Sequence, residues 1–180
     1  MRIFTVSGAH GGVGKTTLAS MIIRRLGPCA AIKVSTTAMY ATVTDDLSVV
    51  MEDGKDTAHM REAGAHPVVL VSCPREDLDD SMAMALDMVN EAAAVVIEGN
   101  SAVRLIKPDR AFFVIGAEVA DAKPDSLDVL AMADVVVVNV EADEPPSGLV
   151  DALRAHNAGA RVVTMGRLKG SDGAMDEMLG

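Results

Sequence analysis

Tryptophan is absent from this 180-residue chain, and one tyrosine and three phenylalanines hold its aromatic content to 2%. A core without rings must be filled by Val, Ala, Leu, Ile and Met, and hydrophobic residues do reach 49%. The same lack removes the stacking platform on which single-stranded nucleic acid is bound. Cations are also scarce. Sixteen Lys and Arg face 26 Asp and Glu, a formal charge of −10, so the chain repels bulk nucleic acid and anionic membrane. No nucleic-acid or membrane partner is expected, and any anion must be held by a local site.

Cysteine is nearly missing. Cys29 and Cys73 stand apart, with no C-x-x-C. In an intracellular chain they read as buried free thiols, with a redox pair or half of a shared metal site as the alternatives. His59, His66 and His156 show no metal-ligand spacing with them, which speaks against a strong transition-metal site. No apolar run approaches the ~18 residues of a membrane span. The N-terminus leads directly into Arg2-Ile3-Phe4-Thr5-Val6, with no signal-peptide apolar region ahead of it. The expected location is the cytoplasm.

What is present is a regular alternation. The apolar runs Ile3–Ser7, Ala30–Ser35, Val68–Ser72, Val95–Glu98, Ala111–Ile115, Val135–Asn139 and Arg161–Met165 read as parallel strands buried on both faces. Helices are expected at Lys15–Leu26, Asp56–Ala63, Glu76–Ala92, Asp125–Ala131 and Ser147–His156. In the third, Leu78, Met82, Leu86 and Val89 recur at helical spacing, and its methionines read as core packing. The expected fold is α/β. A mainly parallel sheet of about seven strands would carry helices on both faces, in a single domain over residues 1–180. No periodicity assigns Thr36–Lys55, a loop expected to be functional or mobile and to become protected on ligand binding. The Gly- and Asp-bearing tail after Arg167 is expected to fray.

The strongest local signal is Gly8-Ala9-His10-Gly11-Gly12-Val13-Gly14-Lys15-Thr16-Thr17. From Ala9 it reads A-x4-G-K-T, between an apolar strand and a helix, which is the setting of a phosphate-binding P-loop. Gly11, Gly12 and Gly14 allow backbone N–H groups to turn toward phosphate. The following helix adds donors and a positive dipole end. Lys15 is the charge for the β- and γ-phosphates, Thr16 a Mg²⁺ ligand and Thr17 a contact for the α-phosphate. The alternative is a glycine-rich turn without ligand. The ligand implied is a purine nucleoside triphosphate with Mg²⁺.

His10-Gly-Gly-Val-Gly-Lys-Thr-Thr resembles the loop of the deviant Walker A (SIMIBI-type) P-loop NTPases, which include partition ATPases and metal-insertion NTPases. Those carry Lys where this chain has His10, and the resemblance implies a lysine that reaches a dimer partner's phosphates. His10 either does so weakly or lines the loop. A second resemblance is more particular. Gly54-Lys55-Asp56-Thr57 through Arg61-Glu62-Ala63-Gly64-Ala65, Ile32-Lys33, and Val96-Ile97-Glu98-Gly99 resemble segments of the molybdopterin-guanine dinucleotide biosynthesis protein B (MobB) family. With the phosphate loop these fall in order over residues 3–100. The chain departs from that family at Val34-Ser35-Thr36-Thr37, where histidines stand, and at Asn100-Ser101, where Phe-Lys follows E-G. The resemblance implies GTP binding, slow hydrolysis, and assistance in attaching a nucleotide to molybdopterin beside a cofactor-maturation protein.

Further candidates follow. Glu98 ends a strand where a Walker B acid would hold Mg²⁺ or orient a water; otherwise it caps a loop. Asp56 is a helix N-cap or a sensor of Mg²⁺ and γ-phosphate. Lys33 and Lys55 face an anionic ligand or solvent, and Asp45 and Asp46 face solvent. Asn100, Ser101 and Arg104 line a second-substrate cleft or a plain turn. Arg61 and Glu62 read as surface pairs. Asn139 is a candidate base contact, with Glu141 or Asp143 as the acid a guanine would need, and guanine is favoured over adenine. Lys15, Glu98 and Asp56 are the catalytic candidates of a weak NTPase. The alternatives are a small-molecule kinase on the same loop and a partition-type switch that dimerises with nucleotide.

Overall fold

A computed structural model describes residues 1–37 and 39–180. The strands are β1 (Arg2–Gly8), β2 (Ala30–Thr36), β3 (Thr42–Thr44), β4 (Val68–Cys73), β5 (Ala94–Glu98), β6 (Arg110–Ile115), β7 (Val135–Val138) and β8 (Arg161–Thr164). The helices are α1 (Lys15–Leu26), α2 (Leu47–Val50), α3 (Asp56–Glu62), α4 (Leu78–Met88), α5 (Pro124–Leu130), α6 (Leu149–Arg154), α7 (Met165–Gly170) and α8 (Asp172–Leu179).

The strands form one sheet in the order β3-β4-β2-β5-β1-β6-β7-β8. Every pairing is parallel except that of β3 with β4. Because β5 returns to lie between β1 and β2, and β6 continues on the other side of β1, the strand order reverses around β1. Loops at the carboxyl ends diverge there and leave a crevice, the usual place for a ligand in an open α/β sheet.

The pleat explains why the strand sequences look uniformly apolar. Ala31, Val68, Ala94 and Val96 pack into the core that contains α1 and Met60 of α3. Their neighbours Ala30, Ile32, Val69, Val71, Val95 and Ile97 pack into a second core under Leu78, Met82 and Ala85 of α4. Successive side chains point to opposite faces, so a strand covered on both faces needs apolar residues at every position. In α1, Leu18 with Ile22 and Ala19 with Ile23 repeat at one-turn spacing and are buried.

Four elements lie where no regular structure was expected. β3 and α2 occupy part of Thr36–Lys55, a segment whose Ala38 lies outside the described residues. Asp46 begins α2, its carboxylate accepting the Ser48 N–H at 2.8 Å. The tail after Arg167 does not fray but continues α7 and then folds as α8. Met175, Met178 and Leu179 form an i, i+3, i+4 stripe buried in the core, and Ser171 accepts the Ala174 N–H at 3.3 Å as the cap of α8. Expectation also fails for the methionines of α4. Met82 is in the core, but Met84, a rotation of about 200° further round the helix, is exposed, as is Met88.

Cys29 belongs to the α1 core and Cys73 to the α4 core. They lie in separate core clusters, and both are buried free thiols that do not pair with each other. No described helix is long and apolar enough to cross a membrane.

Candidate functional site

The site grows from the carboxyl end of β1. Gly8 has no room for a side chain: a Cβ there would stand 2.8 Å from Val13 Cγ1 and 2.9 Å from the Val114 carbonyl. Its backbone is gripped on both polar atoms by Asn100, whose Oδ1 accepts the Gly8 N–H at 2.9 Å and whose Nδ2 donates to Gly8 O at 2.8 Å. Ala9 donates to Val114 O at 2.9 Å and accepts from the Lys123 N–H at 3.1 Å and the Ser126 hydroxyl at 3.1 Å. The loop therefore enters from β1 already fixed to β6 and α5.

The turn itself uses Gly12 and Gly14 at φ of 76° and 102°, a region side chains with a Cβ rarely adopt. Gly11, Gly12 and Thr17 are exposed, so the backbone that would meet phosphate is open to solvent. Lys15 folds back over the loop and donates to His10 O at 2.9 Å. The imidazole of His10 is turned onto the same loop, with Nδ1 2.7 Å from Gly11 O. On the far side, Asn139 Nδ2 donates to Val13 O at 2.9 Å. Asn139, the candidate base contact, thus holds the phosphate loop by its backbone.

Behind the loop, four side chains from four separate segments converge. The Thr16 hydroxyl lies 2.8 Å from Asp56 Oδ1 and 3.0 Å from Glu98 Oε2. Lys33 Nζ lies 2.5 Å from Asp56 Oδ2 and 2.5 Å from Glu98 Oε1. Glu98 is 1% exposed. A carboxylate so deeply placed requires a close positive partner, and Lys33 is that partner. Lys33 bridges two acids and also lines the cleft beside the loop. Asp56 is the first residue of α3 with Lys55 as its N-cap, and its carboxylate bonds Thr16 and Lys33.

The electrostatics follow from this packing. Burial pulls the Lys15 ammonium below its ordinary value, helped by the like charges of Lys33 and Lys123 and opposed by Glu98 and Asp56. Burial would lower Lys33 too, but the Glu98 charge and the bonds to Asp56 and Glu98 outweigh it and raise Lys33. Burial would raise Asp56, yet its bonds to Lys33 and Thr16 and the two lysine charges hold it below the carboxylate range. Lys33 and Asp56 therefore both stay ionised near neutrality.

Hard oxygen donors gathered on Thr16, Asp56 and Glu98 suit Mg²⁺, which keeps several waters and takes one or two carboxylates beside substrate phosphates. Among the described residues, no three His, Cys, Asp or Glu side chains converge as a metal cluster. Thr16 would be the direct ligand, with Asp56 and Glu98 behind it.

Other candidates are dispersed. Lys55 pairs with Glu52 on the surface. Asp45 and Asp46 are exposed. Arg61 Nη1 donates to Ala65 O at 3.1 Å, closing the end of α3, and Glu62 lies 3.6 Å from His59. Beyond β7, the Glu141 carboxylate pairs with Lys169 at 2.7 Å, whereas the Asp143 carboxylate has no partner among the described residues. Asn100, Ser101 and Arg104 do line a cleft beside the loop, of about 650 Å³. Lys123 and Arg75 also line it and were not anticipated. The signal for Lys123 was Lys-Pro, since Pro favours the first turn of a helix. The lysine caps the start of α5, where its N–H donates to Ala9 O at 3.1 Å.

A glycine-rich loop between a central strand and a helix, backed by a strand-end acid, sits at the crevice of a parallel sheet. This is the fold of the P-loop NTPases. The hydrogenase maturation factor HypB from Archaeoglobus fulgidus superposes with a TM-score of 0.64 at 16% identity, over 100% of this chain and 89% of that one. HypB from Helicobacter pylori, in complex with nickel, gives 0.53 at 11% identity, over 97% and 81%. The 54 kDa protein of the signal recognition particle from Aeropyrum pernix K1, in complex with GDP, gives 0.53 at 17% identity. That match covers 99% of this chain, which spans about half of the other. At such identities the likeness is one of fold. No family model matches the sequence, and no curated protein matches it.

Proposed function

We propose that this chain binds a purine nucleoside triphosphate with Mg²⁺ at the loop 9–17, with GTP preferred over ATP. We further propose that it acts as an accessory protein in the maturation of a pterin–molybdenum or pterin–tungsten cofactor. One observation carries the reading. Thr16, Lys33, Asp56 and Glu98 come one each from the phosphate loop, Ile32-Lys33, the Gly54–Ala65 segment and Val96–Gly99, the four segments that resemble the MobB family. In space they form a single network with contacts of 2.5–3.0 Å. Segments dispersed over the first hundred residues thus serve one site, as expected if the resemblance is functional.

The guanine preference is supported by the free Asp143 carboxylate beyond Asn139. Hydrolysis is slow in this account. Arg61 is bonded at the far end of α3, and Arg104 bonds Asp125 O and Asp128. GTPases without a supplied arginine are about 10⁵-fold slower than those with one. The chain is then more adaptor than fast enzyme, working beside a cofactor-maturation protein and in contact with molybdopterin. A partition-type dimerising switch gains no support from position 10, where His10 is turned onto its own loop.

A small-molecule kinase is the second reading, favoured by the cleft that opens from Lys15. Calorimetric titration of GTP, ATP and molybdopterin-guanine dinucleotide in Mg²⁺ separates the two. Preference for GTP together with binding of the dinucleotide supports the cofactor adaptor. ATP preference with diphosphate release that depends on added substrate supports the kinase.

A further inference from the structure

We propose that the outer face of α4 is a docking surface for a cationic, amphipathic helix of a partner protein. The proposal stands apart from the nucleotide reading and does not depend on it. The helix α1, which begins at Lys15, packs in one core cluster, and α4 packs in the other. The inner face of α4 buries Leu78, Ser81, Met82 and Ala85. Its outer face leaves Asp79, Asp80, Ala83, Met84, Asp87 and Met88 exposed.

One exposed methionine would mean little, but here two adjoin. Met84 is 59% exposed and Met88 36%. They stand at i and i+4, so they are neighbours on the helix surface. Asp80 precedes Met84 by the same step, and Asp87 follows Met84 by three. At 3.6 residues per turn, these four side chains share an arc of about 100°. Methionine is flexible enough to fit its shape to an apolar partner. Apolar anchors at i and i+4 are also how an amphipathic helix is read by its partner.

Charge decides what fits against them. From Glu76 to Val103 the sequence has no Lys, Arg or His. Glu76, Asp77, Asp79, Asp80, Asp87 and Glu91 are all exposed, and none forms an ion pair among the described residues. Asp87 accepts an amide hydrogen bond from Asn90 at 3.2 Å. Exposed acids elsewhere do find cations: Glu52 pairs with Lys55, Asp151 with Arg154 and Glu177 with Arg161. The face of α4 thus sets an apolar pair among acids that have no counter-charge of their own. Lysines or arginines bracketing an apolar stripe complement it. A second copy of this chain, docked through the same face, would set acid against acid between two chains of −10 each. An anionic membrane would be repelled in the same way.

A synthetic peptide helix of about 18 residues tests this, long enough to be helical and to span the 11 residues of α4. It carries lysines and alanines, with leucines at i and i+4 along one stripe. A control peptide has the same composition with its leucines scattered around the helix. Both are titrated into the full chain, and both feel the same overall attraction to an acidic protein. The striped peptide is expected to bind saturably and about tenfold tighter than the control. Met84→Gln with Met88→Gln should erase that difference. Asp80→Lys with Asp87→Lys should weaken both peptides about tenfold at low salt and less at high salt. All four side chains are exposed, and circular dichroism would register a folding defect. Absence of saturable binding, equal affinity of the wild type for the two peptides, or variants that bind as the wild type does, overturns the proposal. Concentration-dependent dimerisation of the wild type that is lost in Met84→Gln with Met88→Gln also overturns it, by giving the face to a second copy. Nucleotide titration of the same proteins is read separately, and its failure touches the nucleotide reading alone.

Discussion

Lys33 and Glu98 are register partners on adjacent parallel strands, and their side chains meet at 2.5 Å. Opposite residues of neighbouring strands project to the same face, so the pairing of β2 with β5 itself delivers the cation to the acid. Asp56 reaches the same ammonium from α3, and Thr16 reaches both acids from α1. The positive charge of Lys33 stands among the oxygens that a Mg²⁺ shell would draw on.

Replacing Lys33 by Met should leave Glu98 buried without a cation. Losing one partner of a buried pair costs 3–5 kcal/mol; with Asp56 43% exposed, about 2–3 kcal/mol is expected. In a domain of this size that lowers Tm by about 5–10 °C. Mg²⁺ should restore more stability to the variant than to the wild type, because it supplies the missing charge. Thermal unfolding with and without Mg²⁺ checks both, and an unchanged Tm would speak against the bridging role.

The same pair has a defined pH window. Asp56 is held low and Lys33 high. The Asp56 contribution is present above the ordinary carboxylate value near 3.9 and is lost as pH falls through its lowered one. The Lys33 contribution is present below about 10.4 and is lost as pH rises through its raised one. The coupling between Lys33→Met and Asp56→Asn in urea unfolding should therefore stay constant from about pH 5 to 9. A steep change near neutrality would contradict the assignment.

Asn139→Ala should weaken GTP and ATP binding by the same factor, about tenfold for a lost hydrogen bond to the loop. The amide holds Val13 O, and both nucleotides use that loop. Competition titrations of the two nucleotides measure it, and a loss confined to GTP would instead make Asn139 a base contact.

Cys29 is 3% exposed, and burial pushes its thiol from an ordinary 9.0 up to about 11. The unfolded thiol ionises first, so this contribution is full below pH 9 and is lost as pH rises toward 11. Between pH 8 and 10.5 the wild type should lose on the order of 2 kcal/mol more than Cys29→Ala. Urea midpoints at the two pH values read it, and parallel slopes would remove Cys29 as the cause.

The sequence made the phosphate loop legible because its signal is local: glycines, Lys15 and Thr16 fall within one turn between a strand and a helix. The positions of Glu98 and Asp56 beside Thr16 were legible from short motifs in the same way. The role of Lys33 was not, because it depends on β5 inserting between β1 and β2, and strand order is not written in any single segment. Lys123 was missed for the same reason, since it meets the loop only through the placement of β6 and α5 beside β1. In the tail, Gly and Asp masked the stripe of Met175, Met178 and Leu179, which becomes apparent only where α8 packs against α1. β3 has three residues, too few for alternation to be read.

The central claim is that the loop around Lys15 holds a Mg²⁺ nucleoside triphosphate. Isothermal titration of Mg²⁺–GTP into wild type and Lys15→Ala tests it most directly. The account expects one saturable site in the wild type, weakened by about 10–100-fold in Lys15→Ala through loss of the charge on the phosphates. A folded wild type that takes up no nucleotide, or a Lys15→Ala variant that binds as tightly, would contradict it.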